Sequence, residues 1–421
     1  MPKALDQSKT PQELRREREQ RITDAIHFQP TDRVPVICEL GFFAAKYAGI
    51  PCSAGYYDFD SWLDAYRKTL RDFQPDMAFT RPFSPGIALE HLQPKFMKWP
   101  GYGLGNNSGL QAIEIESMQD NECDLFLTNP ADFLIRSHLP RIYGSLHFLS
   151  KLPALSGMGW IEPSAAQNLA ILFTEPDVEA AIENLQRAGR ELRKWQPRMK
   201  EFDQLLSEFG MPQLYQGIAM PPFDVISNRL RGMKQTMLDM FRHPDKLIEM
   251  CEFIFNKTIE RPFGIKNEYG NQRVFMTITR GSDEFMSTSQ FKTFYWPTFE
   301  KLVMTVIERG ATPCIFFEGS FTSRLEWLLQ FPKGKILARF DKTDIFKAKE
   351  VLKDHVCIEG NVPCSLLQIG STREVEEYCK KLIDVVGKDG GYILGPRSST
   401  DEVKPENLKT MIEFTKAYGR Y

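Results

Sequence analysis

Six carboxylates stand at or just after the ends of apolar, strand-forming runs. They are Glu39 closing VICE (36–39), Asp283 and Glu284 after VFMTI (274–278), Glu318 closing PCIFFE (313–318), Asp341 closing LARFD (337–341) and Glu359 closing VCIE (356–359). Carboxylates that converge repel one another unless they are paired with cations, protonated or bridged by a metal. Arg81 and Arg397, at the ends of two further runs, are the expected counter-charges, and Tyr215, Asn361 and Ser398 complete the polar set. A carboxyl group in apolar surroundings keeps its proton to higher pH and can donate it to a leaving group. Glu318, preceded by Ile315, Phe316 and Phe317, is the expected acid. Asp283 and Glu284 would hold it, orient the substrate, or share a hard cation with it. Carboxylates alone make an unusual zinc site, so no metal ligand is assigned. Bland roles stay open: Glu318 as a helix cap, Asp283 and Glu284 as first-turn acids, Asn361 as a turn residue, Arg397 as a neutraliser or a clamp for a substrate carboxylate.

What gathers these residues is an alternation of short apolar runs and amphipathic segments. From PQLYQGIAM (212–220) onward, strands near 273–279, 312–318, 336–341, 356–361 and 391–396 alternate with helices, the last over 405–418. Two earlier strands, near 34–38 and 76–81, flank the helical pattern DSWLDAYRKTLRDF (60–73). Strands separated by helices imply parallel βαβ units, and this many of them imply a closed (β/α)8 barrel, whose active site lies at the carboxyl ends of the strands. Residues 1–27 read as a polar helical extension. Residues 84–200 read as an insertion: loop-rich over 84–115, Pro-punctuated and lid-like over 130–155, then one long helix over 177–210. No linker or composition shift divides the chain, so residues 1–421 are expected to form one domain.

Other chemistries lack their signatures. There is no Walker loop, HExxH or GxSxG, and GYGLGNNSG (101–109) lacks the strand-then-helix context of a dinucleotide site. The six histidines, at 27, 91, 138, 147, 243 and 355, fall outside the expected strand ends; His91 and His138, in the insertion, are the two that could fold over the mouth. A net charge of -2 gives no nucleic-acid footprint. Eight cysteines with no CxxC fit free thiols in a reducing compartment. The opening has no apolar core of a signal peptide, and no apolar run nears the ~18 residues of a membrane span. A cytoplasmic protein without membrane or nucleic-acid partners is expected. The 31 phenylalanines and 6 tryptophans supply a large core, and those near strand ends suit an apolar or aromatic ligand.

The stretches RITDAIHFQPTDRVPV (21–36), PPFDVISNRLRGMKQTMLDMFRHPDKL (221–247), KTDIFKAKEVLKDHVCIEGNVPCSLLQIGSTREVEEYCKKLIDVVGKDGGYILGP (342–396) and KPENLKTMIEF (404–414) resemble the uroporphyrinogen decarboxylase superfamily. The resemblance covers nearly the whole chain, least over 84–200, and implies a TIM barrel. Decarboxylases of that family carry arginines after the first strand and an aspartate after the second; here Glu39 and Arg81 stand at those places. The family tyrosine falls at Asn228 and the histidine of the last strand loop at Ser398, so uroporphyrinogen decarboxylation is not expected. The superfamily's other branch, the corrinoid-linked methyltransferases, carries a zinc site of the form HxC at one strand end plus a cysteine after the last strand. Phe316, Glu318 and Ser398 stand at those positions, so zinc-bound thiol activation is not expected, although some other metal remains open. The resemblance then implies transfer of a methyl group from a small donor, a methoxylated aromatic first among them (O-demethylation), to the Co(I) corrinoid of a partner protein. Phe316, Asn228, Tyr215, Glu39, Arg81, Asp341, Asn361, Arg397 and Ser398 would contact the substrate, and a homodimer fits the family habit. The alternatives are a cofactor-free decarboxylase or lyase with Arg81 and Arg397 as carboxylate clamps, and a non-catalytic ligand-binding barrel.

Overall fold

The computed structural model describes residues 9–79, 83–263 and 266–421. Eight parallel strands line a barrel: β1 (Ile37–Glu39), β2 (Met77–Phe79), β3 (Gly217–Ala219), β4 (Arg273–Ile278), β5 (Thr312–Phe317), β6 (Leu337–Phe340), β7 (Cys357–Glu359) and β8 (Tyr392–Ile393). β3 to β8 form one continuous parallel sheet, and β1 pairs with β2. The two sheets join where Val36 bridges Leu394 and Ile37 N–H donates to the Leu394 carbonyl. Between β2 and β3 no ladder forms among the described residues.

Side chains alternate along each strand, and β5 shows the consequence. Pro313, Ile315 and Phe317 face the surrounding helices, while Thr312, Cys314, Phe316 and then Glu318 face the barrel axis. Cys314, Leu337, Cys357, Ile37, Met77 and Ile393 form the lowest interior layer. The helix Pro11–Ile26 plugs this end with Ile22, Ala25 and Ile26. A capping box between Thr10 and Glu13 starts that helix, with Pro11 pre-setting its first turn. Beside the plug, Asp76 is fully buried and accepts hydrogen bonds from Arg21 Nη1 (2.9 Å), Arg33 Nη1 and Nη2 (both 2.6 Å) and Val36 N (2.9 Å).

The insertion is built differently from its reading at two points, the first being a helix, Gly86–Leu92, within the expected loop. Residues expected to be loop also contain a small sheet in which Met97–Pro100 pairs with Gly103–Leu104 and with Gln111–Ala112. The long helix spans Pro176–Glu208, and its partners include the helix Gly86–Leu92. Residues 114–122 clasp the helical segment after β3: Glu114 accepts from Met233 N (2.7 Å) and Arg231 Nη1 donates to the Met118 carbonyl (2.7 Å). The helix expected after β5 is a 3-10 helix, Thr322–Gln330. All eight cysteines are free, and no described helix is long and apolar enough to cross a membrane.

Candidate active site

Strand register decides which side chains meet. Phe316 on β5 lies opposite Arg339 on β6, and Arg339 opposite Glu359 on β7. All three point to the axis and form the second interior layer. Two residues further along each strand, Glu318, Asp341 and Asn361 form a third layer that opens to solvent, ~7 Å above the second by strand rise.

The second layer is charged, with Arg339 and Glu359 buried and Glu39 partly exposed. Arg339 Nη1 pairs with Glu39 Oε2 at 2.8 Å, and Arg339 Nε lies 3.6 Å from Glu359 Oε1. The guanidinium carbon sits 4.8 Å from the centre of the Phe316 ring, which fixes its plane. One arginine thus faces two carboxylates. Burial pushes the Glu359 carboxyl up, Arg339 pulls it down, Glu39 pushes it up again, and the net is a raised value.

The mouth layer carries the expected acid. Glu318 is exposed rather than enclosed in an apolar pocket, because it follows the last paired residue of β5 and projects past the strand ends. Even so its carboxyl is raised. The barrel wall desolvates it in part, and the nearby Asp341 and Asp224 charges add to this, outweighing Arg280 and Lys342. Gly319 makes the turn behind it with φ +95°, a conformation side chains rarely adopt, and an added Cβ would lie 3.0 Å from Ser282. Gly319 N donates to Asp341 Oδ2 at 3.1 Å, while Asp341 Oδ1 faces Arg397 Nε at 3.9 Å. Asn361 Nδ2 donates to the Asp341 and Thr343 carbonyls, both at 3.3 Å.

Asp283 and Glu284 are engaged elsewhere. Asp283 accepts from Ser323 N (3.2 Å), Ser323 Oγ (2.7 Å) and Ser320 Oγ (3.1 Å), so it caps the start of the 3-10 helix after β5. Glu284 is exposed and accepts from Ser320 N at 3.2 Å. Burial raises its carboxyl slightly, but hydrogen bonds from its own backbone N–H, Ser282 and Ser320 outweigh this and lower it. Both acids therefore shape the loop that presents Glu318. The cap expected of Glu318 belongs to Asp283.

Three further expectations change. Tyr215 precedes β3 instead of ending it, and its ring stacks on Phe275 at 4.6 Å near the closed end of the barrel. The apolar run PQLYQGIAM conceals this, because only its last third pairs as a strand. The cation neutralising Glu39 and Glu359 is Arg339, not Arg397; the Arg81 assignment lies outside the described residues. His138 bonds through Nδ1 to Ser117 Oγ (2.8 Å) within the insertion, away from the mouth carboxylates. Ser398 Oγ lies 3.4 Å from Cys364 Sγ.

Sequence reasoning missed Asp224, which is fully buried on the short helix Pro222–Val225 after β3. It accepts from Thr279 Oγ1 (2.7 Å), from Arg280 N (2.9 Å) and from the Tyr295 hydroxyl. Burial raises its carboxyl despite these bonds. Asn228 Nδ2 donates to Thr279 Oγ1 at 3.1 Å, so one network fixes the residues after β4. The signal was present: an aspartate inside PPFDVI, directly after a strand. Arg339 was missed because it lies inside β6, and a rule that reads only strand ends passes over inward-facing residues one layer below.

Phe316, Glu318 and Ser398 offer no thiolate or imidazole, so this donor set does not fit zinc. Among the described residues no group of three or more His, Cys, Asp or Glu is arranged to hold a metal ion.

The model of the uroporphyrinogen decarboxylase (URO-D) family matches residues 168–418. The chain belongs to that family. A methyltransferase from Methanosarcina mazei shares its fold, with a TM-score of 0.58 and 14% identity over 95% of this chain and 98% of the other. No curated protein matches the sequence. The fold class is thus the α/β TIM barrel that the strand count and the resemblance both implied.

Proposed function

We propose that the protein is a methyltransferase that moves a methyl group from a small donor, in the first instance a methoxylated aromatic, to the Co(I) corrinoid of a partner protein. The observation that carries this reading is Glu318: a carboxyl at the barrel mouth, open to an approaching partner, raised by its surroundings and standing above the Phe316 ring. Family membership and the fold shared with a methyltransferase support it. An exposed acid at the mouth suits an acceptor carried by a partner protein. When presented, the Co(I) corrinoid supplies the nucleophile that takes the methyl group.

The chain's own task is the leaving group. As the methyl–oxygen bond breaks, its electron pair stays on the ether oxygen, and a phenolate or alkoxide leaves poorly unless protonated. Glu318 transfers its carboxyl proton to that oxygen, yielding the phenol or alcohol and a carboxylate that regains a proton from solvent. Partial burial first, and then the Asp341 and Asp224 charges, favour the protonated form of Glu318. Phe316 offers a face for the donor's apolar part, and Asp283 with Glu284 holds the loop. The lyase alternative would use Arg81, which lies outside the described residues, and Arg397, whose Nε faces Asp341 Oδ1 at 3.9 Å.

Glu318→Gln is the test. With a native corrinoid partner protein, Co(I) and methoxylated aromatics, formation of methyl-Co(III) should fall ~10²–10⁴-fold in the variant, while donor binding stays within about twofold by calorimetry. Activity of the native protein should decline as pH rises through the raised Glu318 value, because the acid form is then lost. Unchanged methyl transfer in the variant would refute the assignment.

A further inference from the structure

Below Glu318, the second layer holds two buried polar atoms without a hydrogen-bond partner, Glu359 Oε2 and Arg339 Nε, and Asn361 Oδ1, two residues beyond Glu359 in the layer of Glu318, is a third. Their residues are 2%, 5% and 2% exposed. Native proteins rarely leave such atoms unmet, and an unmet one costs ~1–3 kcal/mol. On and just beyond the adjacent strands β6 and β7, these atoms mark a position that something polar fills. Across from Glu359, β8 continues into Gly395; a Cβ there would approach Glu359 Oε1 at 3.9 Å and the Ile37 carbonyl at 3.0 Å. The missing side chain leaves the Ile37 carbonyl and the glutamate without a Cβ packed against them there.

We infer that this position is a subsite for an uncharged hydroxyl carried by the methyl donor, an inference that rests on the methyltransferase reading above. The atoms left over select the group. Glu359 Oε2 and Asn361 Oδ1 want a donor, whereas Arg339 Nε wants an acceptor. An ammonium could satisfy the first two but would leave Arg339 unmet and face its positive charge. A carboxylate could satisfy Arg339 but would meet Glu359, Glu39 and the Asn361 oxygen. A hydroxyl both donates and accepts, and it suits Glu359 in either protonation state. The Phe316 ring against Arg339 gives the donor's apolar frame a surface beside that hydroxyl. The subsite would then set specificity, and Glu318, one layer above Glu359, would act on the ether oxygen.

Calorimetry on the full chain, without corrinoid, tests this with 2-methoxyphenol, methoxybenzene, 2-methoxybenzoate and 2-methoxybenzylammonium. The hydroxylated probe should bind ~10-fold or more tightly than methoxybenzene, since buried polar groups left unpaired discriminate strongly. The ratio should collapse toward 1 in Glu359→Met and in Asn361→Leu, each checked for native circular dichroism. Equal binding of 2-methoxyphenol and methoxybenzene to the native chain would mean that the position holds only water, and would overturn the proposal. So would tighter binding of either charged probe, or no binding of any. A hydroxyl preference that depends on Glu359, found together with no methyl transfer to Co(I) corrinoid, would keep the subsite and reject the reaction.

Discussion

At the residue scale the site is a problem of one cation among many acids. Arg339 is bracketed by Glu39 and Glu359, and its loss would leave two carboxylates in the barrel without compensation. Breaking a buried pair costs ~3–5 kcal/mol, far more than a surface pair is worth. Arg339→Met should therefore lower stability by about that amount near neutral pH, measured by denaturant unfolding. The sign of its pH dependence follows from Glu359. That carboxyl is already raised in the native fold, and without Arg339 it would rise further. Between the ordinary carboxyl value of about 4 and the folded value, the unfolded chain sheds a proton that the folded chain keeps. The gap between variant and native protein should widen as pH rises from the native folded value of Glu359 to its higher value in the variant, and stay level below that range. A gap independent of pH would show that Glu359 does not feel Arg339.

At the scale of elements, the loop after β5 is held by side chains from the loop after β4. Asp283 accepts two bonds from Ser323 and one from Ser320, and Glu284 accepts from Ser320 N. Arg324 Nε lies 3.5 Å from Asp283 Oδ1 and adds to the same clamp. Asp283→Ala should cost ~0.5–2 kcal/mol, as loss of a helix cap does, and should lower methyl transfer far less than Glu318→Gln. Equal losses in the two variants would instead place Asp283 in the chemistry. Thermal unfolding and initial rates measured side by side separate the cases.

At the scale of the whole molecule, the closed end of the barrel carries the stability and the open end the chemistry. Asp76 ties the helix Pro11–Ile26, through Arg21, to the entry of β1. Burial alone would raise its carboxyl, but Arg33, Lys416 and Arg21 hold it far below the ordinary carboxylate range. A carboxyl lowered in the folded state stabilises above its unfolded value of about 4, and that contribution is lost as pH falls below it. Asp76→Asn should lower stability by ~3–5 kcal/mol at pH 7, with the difference shrinking on acidification. The donor-binding site, toward the other end of the same strands, should keep its affinity in whatever fraction remains folded.

The sequence by itself determined the barrel and most of the mouth. Apolar runs at βαβ spacing imply parallel strands, and the ends of those runs named Glu39, Glu318, Asp341, Glu359 and Asn361, because a carboxyl end is a property of one strand and can be read locally. The family was legible in the segments 21–36, 221–247, 342–396 and 404–414, and the uroporphyrinogen decarboxylase model matches 168–418. Register was not legible. It is fixed by hydrogen bonds between strands distant in sequence, and it alone sets Phe316, Arg339 and Glu359 in one layer. Nor could the sequence apportion charge. Arg339 inside a strand, Asp224 behind a proline pair and Asp283 turned toward Ser323 each take their role from a partner supplied by another strand or loop. Tyr215 shows the same limit from the other side: an apolar run says that a segment is buried, while only the packed barrel says which end of the strand a residue occupies.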